Sequence, residues 1–212
     1  MSVIAIIPAL NEATTIKSII KVVKKNKLID RILVVSDGST DDTATIARKC
    51  GVDVIELKEN VGKGGAMSIG VKQSHEDIIL FLDADLIGLT SKHITDLLKP
   101  VLNNEASMSV GIFSNGRVAT DLAQKMTPFL SGQRAIKRIL FEQIDDIEAS
   151  KYGVEVTLTK YVKKHKIPYV KVKLVNLTHI TKEEKLGLTK GFLSRLKMYK
   201  DIIKSAKIFD KM

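Results

Sequence analysis

The chain has no tryptophan, one cysteine and four prolines, and only 5% of its 212 residues are aromatic. A single thiol, Cys50, excludes an internal disulfide and fits a reducing compartment. No apolar run approaches the roughly 18–20 residues that a membrane-spanning helix needs. The opening "MSVIAIIPALNE" lacks the basic leader of a secretory signal, so the expected location is the cytoplasm. Scarce aromatics remove the stacking platforms on which single-stranded nucleic acid is bound, and nucleic acid is not an expected partner.

What is present is ordinary globular material, 44% hydrophobic and 27% charged, enough for one sizeable core. The net charge of +10 is unevenly placed. Residues 1–100 hold 13 Lys+Arg and 13 Asp+Glu, whereas residues 101–212 hold 21 and 11. A basic excess of this kind favours phosphates, whether in a nucleotide, a phosphorylated metabolite, an anionic lipid or a nucleic acid.

The first half alternates two patterns. "SVIAIIP", "RILVVSD", "VDVIELK" and "DIILFLD" are nearly continuous Val/Ile/Leu runs, as strands buried on both faces should be. Between them, "EATTIKSIIKVVKKNK", "STDDTATIARKC" and "GKGGAMSIGVKQS" repeat apolar residues at helical spacing. Ser39 or Thr40, ahead of Asp41 and Asp42, reads as the start signal of the second helix. The fold class this implies is α/β, a Rossmann-like, mostly parallel central sheet with helices on both faces. Later, "SMSVGIF" and "YVKVKLVNLTH" read as further strands and "GVEVTLTKYVKKHK" as a helix ending before Pro168.

Ligands of such sheets bind beyond the carboxyl ends of the strands. Those ends carry Pro8-Ala9-Leu10-Asn11-Glu12, then the run from Ser36 to Thr43, then "ENVGKGGA", then Asp83-Ala84-Asp85. The set suits a nucleoside diphosphate. The turn at Gly62 lets backbone N–H groups approach phosphate oxygens at a helix start, and Lys63 adds a point charge. Asp83 and Asp85 offer oxygen ligands to Mg²⁺ or Mn²⁺ on the other side of the phosphates. Asp37 can accept a hydrogen bond from a base N–H. Each piece alone has a bland reading: a solvated loop, a glycine turn, a helix cap. Their order on successive strand ends favours the chemical one.

"IIPALNE", "VVSDGSTDDT", "NVGKGGAM" and "FLDADL" together resemble the motifs of the nucleotide-sugar-dependent glycosyltransferases of the GT-A fold, family 2 type. The resemblance implies that Pro8, Ala9, Leu10, Glu12 and Asp37 line a nucleoside pocket, usually for a uridine diphosphate sugar. It places Gly62 and Lys63 near the nucleotide, Asp83 and Asp85 on the metal and donor, and Asp85 among the catalytic residues. A nucleotidyltransferase of related fold is the alternative, but it expects a loop rich in Gly and Arg after the first strand, and "PALNEATT" has neither.

In the second half, "GRVATDLAQKMTPFLSGQRAIKR" resembles the acceptor segment of glucosyl-3-phosphoglycerate synthases and polyprenyl-phosphate glycosyltransferases. That comparison makes Ser131, Gly132, Gln133 and Arg134 an acceptor loop, with Arg134 either binding phosphate or lying on the surface as one more cation. It brings Glu155 of "YGVE" to the active-site edge, as a catalytic base or simply a helix-start acid. It gives His179 of "LTHI" as a third metal ligand, the alternative being a solvated strand-end histidine. The implied acceptor is lipid-linked or a phosphorylated small molecule.

A GT-A domain over 1–187 is thus expected, followed by a C-terminal helix over 188–212. From Lys190 to Met212 there are seven Lys+Arg against two Asp+Glu. Phe192, Leu196, Tyr199, Ile203 and Phe209 form an apolar stripe beside those charges. The pattern suits an anionic membrane surface at the inner face of the membrane, packing on the domain itself, or the partner of a homodimer.

Overall fold

The computed structural model describes residues 1–114, 131–144 and 154–179. The basic tail, its apolar stripe, the boundary at 187/188 and most of the acceptor-like segment lie outside those residues.

Four strands form the half of the sheet nearest the amino terminus: β1 (Val3–Ala9), β2 (Arg31–Asp37), β3 (Asp53–Leu57) and β4 (Ile78–Phe81). Helices α1 (Ile16–Lys24), α2 (Thr43–Lys49) and α3 (Gly62–Lys72) connect them. All three pairings are parallel, with Ile6 opposite Leu33 on one side and Phe81 on the other. Next come β5 (Leu86–Ile87), α4 (Ser91–Leu102) and β6 (Met108–Ser114). The last described elements are β7 (Arg134–Lys137), α5 (Arg138–Glu142), α6 (Val154–Lys164), β8 (Tyr169–Val175) and β9 (Thr178–His179).

The sheet order is β3-β2-β1-β4-β7-β6-β8, and β7 alone runs against its neighbours. After β1 the chain builds outward through β2 and β3, and α3 then returns it to the other side of β1. The reversal opens a crevice at the carboxyl ends of β1 and β4.

Period-2 burial explains why β1 sits in the middle. Val3, Ala5 and Ile7 join a core with Ile16, Ile19, Ile20 and Val23 of α1 and Ile94, Leu97 and Leu98 of α4. Ile4 and Ile6 face the opposite layer, with Ala66 and Met67 of α3, Phe141 of α5 and Leu158 of α6. Each such aliphatic side chain contributes roughly 1.5–3 kcal/mol when fully buried. Both faces are paid for in apolar contact, so the continuous Val/Ile/Leu runs were a sound signal of strand. Edge strand β8 alternates exposed and covered positions, and Lys171 and Lys173 on it discourage further pairing.

Two expectations need correction. Helix α2 starts at Thr43 after Asp42 at its N-cap, and the Asp41 carboxylate accepts from the Thr43 N–H at 3.0 Å and from the Thr43 hydroxyl. Ser39 instead accepts the Asn11 N–H at 3.1 Å and stitches the first two strand-end loops together. The second correction is that Arg134 does not lie in a loop. It opens β7, paired with Phe81 and Val110, and is wholly buried.

Candidate active site

The nucleoside-side residues lie where adjacent parallel strands end. Pro8 and Ala9 close β1 opposite Val35 and Ser36, and Leu10 just beyond is 43% exposed. Asn11 takes a positive φ of 55°, and its side-chain oxygen accepts the Thr40 N–H at 2.8 Å. The buried Glu12 has its N–H on the Thr43 hydroxyl at 2.8 Å. Asp37, 3% exposed, ends β2 and accepts the Val61 N–H at 2.7 Å. One of its oxygens therefore anchors the start of α3.

Gly62 stands at the same helix start. Its N–H donates to the Asn60 side chain at 3.1 Å, so its amide serves a local cap. Lys63 carries the positive charge into the site. Its ammonium lies 2.6 Å from Asp83 and 2.6 Å from Glu155, the latter in the first turn of α6. Burial opposes that charge, but the two carboxylates outweigh it and raise the lysine well above its ordinary pKa.

Asp83 is held from three directions. Besides Lys63, the Gln133 side-chain N–H donates to its second oxygen at 2.9 Å, and Gln133 is in turn oriented by the Ser131 hydroxyl at 3.0 Å. Gly132 lies so close that a β-carbon there would come within 2.5 Å of the Asp83 carboxylate and of the Lys63 ammonium. Any larger residue there would push the carboxylate and the ammonium aside. Burial pushes the Asp83 pKa up, yet Lys63 and His179 override it and keep the group below its usual range.

Beneath this pair, Arg134 donates to the Ser131 carbonyl and to the Thr159 hydroxyl, each at 2.9 Å. The Thr159 hydroxyl donates to the Glu155 carbonyl at 2.8 Å. Asp83, Lys63, Glu155, Thr159, Arg134, Ser131 and Gln133 thus close into a ring. Burial lowers the Arg134 pKa to about 10, against the pull of Glu155 and Asp83. The guanidinium is a strut under the site. Its burial speaks against direct contact with an acceptor phosphate.

The opposite wall is made by β5 and β9. Their antiparallel pairing sets Leu86 opposite His179 and Ile87 opposite Thr178. That register brings the His179 ring to Asp85, Nδ1 to Oδ1 at 3.0 Å, with Phe113 packed against the ring at 4.8 Å between centroids. Burial would lower the His179 pKa, but the bond to Asp85 and the charge of Asp83 raise it. One donor atom each from Asp83, Asp85 and His179 lie within 4.8 Å of one another, so the three could hold a cation. Two carboxylates fit Mg²⁺ or Mn²⁺, and the imidazole nitrogen favours the transition metal. The three residues expected as ligands are brought together.

Thr159 and Asn60 shape the site without a signal in their own sequence neighbourhoods, and Gln133, expected in an acceptor loop, donates to Asp83. Ser131 and Gly132 were expected against acceptor; Gly132 lies against the Asp83 carboxylate, and Ser131 bonds to Gln133 and Arg134.

Comparison with known proteins gives the family. A glucosyl-3-phosphoglycerate synthase of Mycobacterium tuberculosis is 33% identical over 117 residues, 51% of this chain and 36% of the relative. A 4,4'-diaponeurosporenoate glycosyltransferase of Staphylococcus haemolyticus is 30% identical over 103 residues, 46% of this chain and 27% of the relative. The matched region is thus well under half the length of these curated relatives. Among solved structures, the M. tuberculosis synthase with Mn²⁺, uridine diphosphate and phosphoglyceric acid superposes with a TM-score of 0.69 at 28% identity, covering 84% of this chain and 70% of that one. The same synthase with Mg²⁺ and uridine diphosphate gives 0.69 at 25% identity, over 92% and 79%. The model of the family described as glycosyl transferase family 2 matches residues 4–165, most of the chain, and the protein belongs to that family.

Proposed function

We propose that the protein transfers a sugar from a UDP-sugar, bound with Mn²⁺ or Mg²⁺, to a phosphorylated acceptor. The observation that carries this is the convergence of Asp83, Asp85 and His179 at the mouth of β4, with Lys63 2.6 Å from Asp83. Support comes from the likeness to a synthase whose structures contain Mn²⁺, uridine diphosphate and phosphoglyceric acid. Pro8, Ala9, Leu10, Glu12 and Asp37 would receive the nucleoside.

The cation, when bound by Asp83, Asp85 and His179, supplies charge that stabilises the departing diphosphate. Lys63 adds a donor to the same phosphates, and the two carboxylates that hold it keep it protonated at every working pH. Gln133 and Gly132 keep the Asp83 carboxylate in one orientation, so little reorganisation is needed as charge develops. The bond from the sugar to the diphosphate breaks, a bond to the acceptor oxygen forms, and the acceptor hydroxyl loses its proton. Glu155, buried beside Lys63, is our candidate to receive it.

By sequence the phosphoglycerate enzyme matches 51% of this chain and the diaponeurosporenoate glycosyltransferase 46%, and the former also superposes as a solved structure over 84%. We favour a phosphorylated small molecule over a lipid-linked one. No helix among the described residues is long and apolar enough to cross a membrane. The deciding experiment incubates the protein with a panel of nucleotide sugars, with 3-phosphoglycerate or a polyprenyl phosphate, with and without chelator. UDP release that needs both metal and a phosphorylated acceptor is expected. Turnover that survives chelation, or a preference for GDP-sugars, sinks the proposal.

A further inference from the structure

Among the described residues, a two-residue ladder, Leu86–Ile87 against Thr178–His179, is all the strand pairing that joins His179 to the segment carrying Asp83 and Asp85. Strand pairs are marginal even at ordinary hairpin length, so two residues cannot hold a ligand in register alone. Leu86 and Leu89 share a buried core with Leu174 and Leu177, which holds the segments together without fixing their register. At the seam, Gly88 has a φ of +82°, and a β-carbon there would collide with the Asn176 carbonyl. Asn176 itself turns with a φ of +61° and donates its N–H to the Ser114 carbonyl at 2.9 Å. These contacts bring the two backbones close but make no bond between them.

His93 makes that bond. It stands at the third position of α4, 7% exposed, where a helix-capping box ordinarily has Glu or Gln. Its Nδ1 accepts the Thr90 N–H at 3.3 Å, while the Thr90 hydroxyl accepts the His93 N–H at 3.2 Å. Its Nε2 lies 3.1 Å from the Val175 carbonyl, at the end of β8. A carbonyl accepts only, so Nε2 carries the proton and Nδ1 is the bare nitrogen that a cap requires. One neutral imidazole supplies both roles. Glu could close the cap but has no donor for Val175.

We infer that His93 is a positioning residue for the metal site, a clasp between the loop after Asp85 and the strap that ends in His179. This rests on the cation reading of Asp83, Asp85 and His179. Thr90 stands five residues after Asp85 and Val175 four before His179, so the clasp closes a small loop around the ladder that carries two of the three ligands. Without it, His179 keeps its chemistry but loses a fixed distance to the aspartates. Partners that orient metal ligands typically change metal affinity by 10–100-fold when removed.

Two substitutions separate the cap from the clasp. His93→Gln keeps an acceptor for Thr90 and a donor for Val175, whereas His93→Glu keeps only the acceptor. Mn²⁺ affinity of the full chain would be read from the electron-spin resonance of free Mn²⁺, and hydrogen exchange would be followed at residues 86–90 and 175–179. We expect His93→Glu to bind Mn²⁺ about tenfold more weakly, with faster exchange in both segments, and His93→Gln to stay within about threefold of the parent. If His93→Glu does not fold, His93→Leu, which lacks both groups, replaces it with the same expectation. Equal Mn²⁺ affinity and equal exchange in all variants overturn the clasp, as does a matching loss in His93→Gln. A parent that binds no Mn²⁺ overturns the cation reading, and the exchange rates then decide the clasp alone.

Discussion

The two walls of the candidate site are built differently. On one side, Pro8 to Glu12, Asp37 and Lys63 stand on the ends of parallel strands or at the start of the helix that follows β3, with Glu12 tied to Thr43 and Asp37 to Val61 on the next strand-end loops, 31 and 24 residues away. On the other side, Gln133 reaches Asp83 across 50 residues, Glu155 reaches Lys63 across 92 and His179 reaches Asp85 across 94. The first wall is repetitive, the second is assembled from single long-range contacts. A parallel sheet places all of its carboxyl ends on one side by topology alone. The closing wall needs a reversed strand, a two-residue ladder and a buried guanidinium.

The largest effect should come from cutting the contact where the walls meet. Asp85→Ala removes a proposed metal donor and the partner of His179 together. It should lower kcat by about 10²-fold or more, as expected for one preorganised electrostatic group. The thermal midpoint should hardly move, because the carboxylate is part-exposed and removing it relieves repulsion with Asp83. Turnover near that of the parent would make Asp83 and Asp85 ordinary loop acids.

A smaller effect tests what Arg134 does. Arg134→Lys keeps the charge but cannot reach both Ser131 and Thr159, so buried acceptors lose their donor. Unfolding free energy in urea should fall by about 1–3 kcal/mol, with UDP affinity little changed. If stability held while the acceptor KM rose instead, Arg134 would be a ligand of the acceptor phosphate after all.

The smallest effect concerns pH. Burial holds His93 below its ordinary value; the neighbouring Lys92 charge works in the same direction, and the Val175 carbonyl and Asp96 oppose it. The unfolded chain therefore takes up this proton first as pH falls. Its contribution to stability is complete above the unfolded value of about 6.5 and is lost as the pH drops toward the folded value. The urea midpoint should fall between pH 7.5 and pH 5.5 more steeply in the parent than in His93→Gln. Parallel pH profiles would mean that the ring titrates alike in the folded and unfolded chains and is not buried in solution.

By itself the sequence determined the sheet and its first wall. Continuous Val/Ile/Leu runs can satisfy their backbone and hide their side chains only between two helical layers, and an aspartate after such a run must sit at a strand end. Asp37, Lys63, Asp83 and Asp85 were legible for that reason. His179 and Glu155 came from resemblance, since nothing beside them in the chain says what they face. Only the tertiary structure decided that Gly62 caps locally, that Gly132 and Gln133 clasp Asp83, and that Arg134 is buried in β7. The physical reason is that a polar side chain takes its meaning from its partner. For the strand-end acids the partner is set by periodicity and chain direction, whereas for Gln133, Arg134 and His93 it lies at 50, 25 and 82 residues' remove and appears only once the sheet has closed.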